Sequence, residues 1–254
     1  MHKNSIEFKV WGRFALFTDP LTRVGGEKCS YHVPTYEALK GICKSIYWKP
    51  TFIWVVDEVR VMKRIRTQTK GTKPLNFGGV YASMKDGSKK QEPPNTLAIY
   101  TFLADVEYQV RAHFEWNTHR VELASDRIDG KHYSIAKRAL ELGGRQDIFL
   151  GTRDCQGYVE PCEFGRGTGE LDDAGELAFG LMFHGFDYPD ETGDDKLHAR
   201  FWHQKIVNGV IRFDHPDACQ KHRKLIREMS VKPFGLGQNQ RAVDHEVTEL
   251  ERHQ

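Results

Sequence analysis

Val106-Glu107-Tyr108-Gln109-Val110-Arg111-Ala112-His113-Phe114-Glu115-Trp116 alternates apolar with polar residues without a break. Successive side chains of a strand point to opposite faces, so the apolar set shares one face and the polar set the other. The stretch predicts a sheet strand with one face covered and one polar. Upstream, residues 51–62 (TFIWVVDEVRVM) are the strongest strand signal in the chain, and residues 7–16 (EFKVWGRFAL) predict a first strand. Between these two lies an amphipathic helix. Pro34 stands where a first helical residue belongs, and Leu39, Ile42, Cys43 and Ile46 recur at helical spacing. Pro50 ends it, with Tyr47 at the last turn.

Working downstream, a loop with Arg120, Arg127 and Asp129-Gly130 leads to a second helix over 131–142. Ile135, Ala139 and Leu142 are its expected buried side, and Gly143-Gly144 its stop. Strand-like pieces follow at 147–151 and 158–164. The order β-α-β-β-α-β predicts an α+β chain with a ferredoxin-like (RRM-type) domain over residues 1–165. Its helices would cover one sheet face and leave the polar one free. Beyond Gly165-Arg166-Gly167-Thr168-Gly169, strand candidates at 177–188, 197–207 and 210–213 predict a smaller β-rich second domain, 166–232. Residues 233–254 are a polar C-terminal tail. Residues 63–95 read as one long loop, a length more often functional than decorative.

A chain of 254 residues, 39% hydrophobic and 28% charged, is long enough to bury a real core and suits a soluble globular protein. It contains no run of eighteen apolar residues and no signal-peptide core, so the expectation is a cytoplasmic protein without a membrane span. Five scattered cysteines, none in a C-x-x-C pair, indicate neither a zinc ribbon nor a disulfide framework. Net charge is only +2, but it is segregated. Residues 60–90 carry nine Lys or Arg and one acid, whereas 170–195 carry nine Asp or Glu and no Lys or Arg. Two readings are open: a basic face for a polyanion, or two solvated loops that pair with each other.

The chemistry-bearing candidates begin with Gly130-Lys131-His132-Tyr133-Ser134 at the second helix start. Free backbone N–H groups there favour phosphate, a lysine adds charge, and a histidine titrates near neutrality. That suits RNA cleavage by an attacking 2′-hydroxyl, which needs a proton acceptor, a donor and a cation, but no metal. The plainer reading is a helix start that His132 packs while Lys131 is solvated. Tyr47 either orients a hydroxyl or packs a helix end. Neighbouring Trp48 and Lys49 are core edge or RNA contact. The glycine-rich 165–169 lacks the Lys-Ser/Thr of a P-loop. His184, His198, His203 and His215 show no metal-ligand spacing, and no metal or cofactor is expected.

Seven runs together resemble one family: residues 14–22 (FALFTDPLT), 25–28 (GGEK), 33–36 (VPTY), 45–50 (SIYWKP), 130–134 (GKHYS), 157–164 (GYVEPCEF) and 184–189 (HGFDYP). They are similar to the d-subtype Cas five proteins of type I-C CRISPR systems, RAMP-superfamily endoribonucleases, over most of residues 5–232. The resemblance implies metal-independent cutting of repeat hairpins in the CRISPR precursor transcript. It implies that the 5′ handle of the CRISPR RNA is then retained, with other type I-C complex subunits as partners. A related expectation is a non-catalytic subunit that only grips the handle. The family's catalytic tyrosine, lysine and histidine fall on Tyr47, Lys131 and His132. Lys49, Arg60, Lys63, Arg64, Arg66, Lys70, Arg111 and Arg127 are the expected RNA contacts. The stretch 81–94 is longer than such a family suggests, and Lys85, Lys89 and Lys90 are expected to add backbone contacts.

Overall fold

The computed structural model describes residues 2–20, 22, 27–74, 81–83, 89–91, 97–128 and 130–233. In chain order its first half runs β1 (Ile6–Ala15), β2 (Lys28–Cys29), α1 (Tyr36–Ile46), β3 (Phe52–Val61), β4 (Thr67–Thr72), β5 (Tyr81–Ser83), β6 (Lys89–Gln91) and β7 (Ala98–Trp116). Then follow α2 (Lys131–Glu141), β8 (Ile148–Phe149), β9 (Gln156–Pro161), β10 (Glu176–Asp187), α3 (Pro189–Thr192), β11 (Lys196–Val207), β12 (Val210–Arg212) and β13 (Arg223–Glu228). The architecture is mixed α/β, dominated by one antiparallel sheet of order β10-β11-β12-β3-β7-β1-β9-β8.

The alternating stretch is the second half of β7, which runs for 19 residues. That half is central, flanked by β1 (Phe8↔Val110) and β3 (Trp54↔Phe114), both antiparallel. On its apolar side, Val110, Ala112 and Phe114 join Phe8, Val10, Trp54 and Val56. The helices close this layer with Leu39, Ile42, Cys43 and Ile46 from α1 and Ala136, Ala139 and Leu140 from α2. Where the loop between β8 and β9 crosses the end of β1, Gly151 (φ +95°) is required. A Cβ there would lie 2.1 Å from the Leu16 carbonyl oxygen.

Four local expectations need correction. Pro34 precedes the helix rather than starting it, because the Thr35 side chain accepts the Ala38 N–H (3.2 Å) as N-cap. In α2 the buried stripe is His132, Ala136, Ala139 and Leu140, while Leu142 lies past the helix end and is 85% exposed. The expected 63–95 loop contains β4, which pairs with the first half of β7 (Thr67↔Leu103 to Thr72↔Ala98). The polar composition of Thr67–Thr72 hides that strand, since neither of its faces is apolar. Within the same stretch β5 pairs β6, whereas Lys85 and the side chains of Lys89 and Lys90 lie outside the described residues.

The fourth correction concerns the polar face of β7, which is not free. Residues 164–172 lie along it. Gln109 donates to the Arg166 carbonyl (2.7 Å) and accepts from the Gly165 N–H (2.9 Å), while the Phe164 N–H reaches Glu7 (2.8 Å). Arg60, only 7% exposed, holds Asp172 through Nη2 at 2.6 Å and donates to the Gly167 carbonyl at 2.9 Å. Arg64 also meets Glu170 (3.5 Å), so the basic and acidic stretches do pair at these two points.

Residues 166–232 continue the same sheet, with β12 pairing β3 (Val210↔Arg60). Met182, Trp202, Ile206 and Ile211 enter the same buried cluster as α1 and β7. Charge joins α1 to this part as well: Lys40 and Lys44 both pair with Glu191, and Glu37 accepts the Phe186 N–H (3.0 Å). All five cysteines are free. Among the described residues no helix is long and apolar enough to cross a membrane. Of the tail, residues 234–254 lie outside the described residues.

Asp172→Ala leaves the buried Arg60 guanidinium without its counter-ion. The expected cost is about 2 kcal/mol, between that of an exposed and a fully buried pair. A urea-unfolding midpoint unchanged from wild type would show that the pair does not hold this segment.

Candidate active site

The site lies where the end of α1 meets the start of α2. The helix α1 stops at Ile46 because Tyr47 is extended (φ −160°, ψ 133°), its N–H still bonded to the Cys43 carbonyl. The Tyr47 carbonyl accepts the Trp54 indole N–H (2.7 Å), which fixes the residue against β3. At the facing helix, Gly130 is the N-cap in a left-handed conformation (φ +77°) with no side chain to bond the first turn. Lys131 and His132 follow at once. Because His132 begins the buried stripe of α2, it points inward while Lys131 stays 42% exposed.

Tyr47 Oη and His132 Nδ1 are 2.8 Å apart, and His132 Nε2 is 2.7 Å from the Asp126 carbonyl oxygen. A carbonyl only accepts, so Nε2 carries the proton; in the neutral ring Nδ1 must then accept from the Tyr47 hydroxyl. Both residues are 1% exposed. Burial holds His132 below the ordinary imidazole value, partly opposed by the Asp126 carbonyl and carboxylate, with Lys131 and Lys49 adding to the depression. Burial also raises the Tyr47 hydroxyl well above the usual phenol value, helped by the Asp126 charge. At neutral pH the pair is therefore a phenol donating to a neutral imidazole. Phe52 and Trp116 wall the ring at 5.3 and 5.7 Å between centroids.

Asp126 was not legible as part of this site. Its carboxylate takes Lys131 Nζ (2.8 Å) and the Thr51 hydroxyl (2.7 Å), and its Oδ2 lies 3.3 Å from His132 Nε2. Burial works to raise its pKa, but the bonds from Lys131 and Thr51 and the nearby His132 outweigh that and keep it below the usual carboxylate value. The one sequence signal was an acid just ahead of a helix start, where the dipole favours negative charge. Beyond Phe52 a cleft of about 210 Å³ opens, lined by Lys44, Trp48, Asn117 and Tyr188 among others. Its wall also carries Asp190 and Glu191, and Phe52 separates it from the His132 ring.

The structure separates the expected RNA contacts into two groups. Arg60 is buried and engaged as described. Arg111 bridges Glu7 (2.8 Å) and Glu58 (2.6 Å), and Arg127 donates to the carbonyls of Asn117 (2.8 Å) and Arg120 (2.6 Å). All three guanidinium groups are engaged within the protein, Arg60 buried and Arg111 and Arg127 half-buried. Lys49 is half-buried beside the site; Lys63 and Lys70 are half-buried and Arg64 and Arg66 exposed along the edge that β4 forms. Lys70 Nζ sits 3.2 Å over the Phe14 ring. Among the described residues His2, Asp57 and His113 place potential ligand atoms within 4.8 Å of one another. His113 belongs to the polar side of β7, so this group lies across the sheet from Tyr47 and His132. His184, in β10, is buried and stacks on Tyr36 (4.2 Å).

Comparison with known proteins places this chain within a class of CRISPR-associated proteins. The family model described as CRISPR-associated protein (Cas_Cas5), Cas5d type, matches residues 5–214. The chain belongs to the Cas5d family. It is 28% identical over 222 residues to a protein of Mannheimia succiniciproducens named CRISPR pre-crRNA endoribonuclease Cas5d, covering 82% of this chain and 94% of that one. A Thermus thermophilus protein of the same name is 26% identical over 247 residues, covering 87% and 95%. Among solved structures, a CRISPR-associated protein superposes with TM-score 0.65 at 32% identity, covering 85% of this chain and 94% of that one. A functionally uncharacterized Streptococcus mutans protein gives TM-score 0.64 at 34% identity, covering 85% and 95%.

The depressed His132 has a stability consequence. The unfolded histidine takes its proton first, so its contribution is whole above about pH 6.5 and is lost as pH falls from there through the folded midpoint. His184, held down to about 3 by burial and Arg200, acts in the same sense. The urea midpoint should fall between about pH 7.5 and pH 5, and less so in His132→Asn. An NMR titration of the His132 ring with a midpoint above 6.5 would contradict this environment.

Proposed function

We propose that this protein is a metal-independent endoribonuclease that cuts the repeat hairpins of CRISPR precursor RNA by 2′-hydroxyl attack. It then retains the 5′ handle as a subunit of the type I-C surveillance complex. The single observation that carries the chemistry is the buried Tyr47–His132 hydrogen bond with Lys131 at its mouth. The names of the curated relatives support the substrate class.

His132 is the base, acting through Tyr47. As the 2′-hydroxyl attacks, its proton passes to Tyr47 Oη while the phenolic proton moves to His132 Nδ1. The new 2′-O–P bond forms and the P–O5′ bond breaks, giving a 2′,3′-cyclic phosphate and a 5′-hydroxyl. The Lys131 ammonium balances the charge that builds on phosphorus and is the donor at hand for O5′. Because its pKa is raised, Tyr47 relays a proton rather than acting as a phenolate. Lys49, Lys63, Arg64, Arg66 and Lys70 are the proposed backbone contacts, whose effect is salt-dependent and sequence-independent.

The strands β9-β1-β7-β3, with crossovers through α1 and α2, support a ferredoxin-like core for this chemistry. Residues 166–232 then act as a β-rich extension that completes the complex-forming surface. The second reading, a non-catalytic subunit that grips the handle, is favoured by the 1% exposure of Tyr47 and His132 and by the engagement of both ring nitrogens.

Incubation of the host's own repeat RNA in excess chelator separates the two. Wild type should cut, whereas His132→Ala, Lys131→Ala and Tyr47→Phe should each slow cleavage by about 10²–10⁴-fold. Unchanged cutting by His132→Ala would remove the proposed base. No cutting by wild type, with the handle still bound, would support the assembly subunit.

A further inference from the structure

We propose that Asp126 is the positioning residue of this site, setting the orientation of His132 and holding Lys131 at its mouth. The inference rests on the Tyr47–His132 reading above and adds a fourth member to it. One residue contacts three others on two elements. Its main-chain carbonyl takes His132 Nε2 (2.7 Å), while its carboxylate takes Thr51 at the foot of β3 (2.7 Å) and Lys131 at the start of α2 (2.8 Å). Thr51 is fully buried, so the carboxylate is anchored on its inner side, and Asp126 itself is largely enclosed, with its side chain 15% exposed.

Each contact has a chemical consequence. The carbonyl forces the proton onto Nε2 and so leaves Nδ1 as the acceptor that faces Tyr47. The carboxylate oxygen 3.3 Å from Nε2 favours the imidazolium that forms when Nδ1 takes a proton. This is the division of labour of a nucleophile–histidine–carboxylate triad, in which the acid orients and stabilises without itself being protonated. Here the phenol of Tyr47 stands in the leading place. The same carboxylate restrains Lys131, whose long chain would otherwise sample many rotamers before meeting phosphate.

Asp126→Asn keeps the main-chain carbonyl and a similar shape while removing the charge. The expected result is a single-turnover cleavage rate lower by roughly 10–100-fold, with repeat-RNA affinity within about twofold of wild type. The rate should rise with pH through the titration of His132. Without the carboxylate the imidazolium is less favoured, so this limb should move to lower pH by about one unit. Asp126→Glu should recover part of the rate. An NMR titration of the His132 ring gives the same shift without reference to cutting. If His132→Ala cuts normally, the cleavage reading fails, yet a downward His132 shift in Asp126→Asn would still establish the coupling. An unmoved His132 titration in a folded Asp126→Asn protein overturns the proposal. So does a rate loss that tracks only a lowered melting temperature, with the pH limb in place.

Discussion

The strand β7 imposes the constraint on which the other elements depend. Nineteen residues of strand, interrupted only by Asp105 (φ +51°), must have their N–H and C=O groups satisfied along both edges. One half is satisfied by β1 and β3, and the other by β1, β4 and the short parallel β2. Its strict alternation places Val110, Ala112 and Phe114 under the helices and Gln109, Arg111 and His113 on the opposite side. On the apolar side the ends of α1 and α2 meet beside β3, and there Tyr47 meets His132.

The meeting point is polar chemistry inside an apolar layer. A phenol and an imidazole, each nearly inaccessible, are tolerated because each satisfies the other and Asp126 satisfies the remaining ring N–H. Desolvation keeps the imidazole neutral and the phenol protonated, so the ground state is poised to accept one proton. The positive charge is kept at the rim on Lys131, where hydration does not have to be given up.

The periodicities were legible where one face of an element is apolar throughout, as in β7, β3 and α1. They failed where burial is achieved by polar groups. The strand β4 is a ladder of threonine, lysine and glycine with no apolar side. The stripe of α2 was misplaced because His132, not Leu142, completes it. Arg60, Arg111 and Arg127 read as RNA contacts because sequence reports charge but not partners; their carboxylate and carbonyl acceptors come from positions as distant as Asp172. The pair Lys131-His132 was visible as a helix start. The depth of His132 and the part of Asp126 were not, since both depend on how the turn at 121–126 folds back under α2.

The pairing of β3 with β12 also bears on the history of each molecule as it is made. One edge of β3 is covered by β7 soon after synthesis, but the other waits until residues 210–212 have left the ribosome. At about 5–20 residues per second, that edge stays open for on the order of ten seconds. An unpaired strand edge rich in valine is a template for association with other chains. Arg60, which ends as a clamp on residues 166–172, is without its Asp172 partner for the earlier part of that interval. A positive charge on an open edge discourages a second copy from docking there.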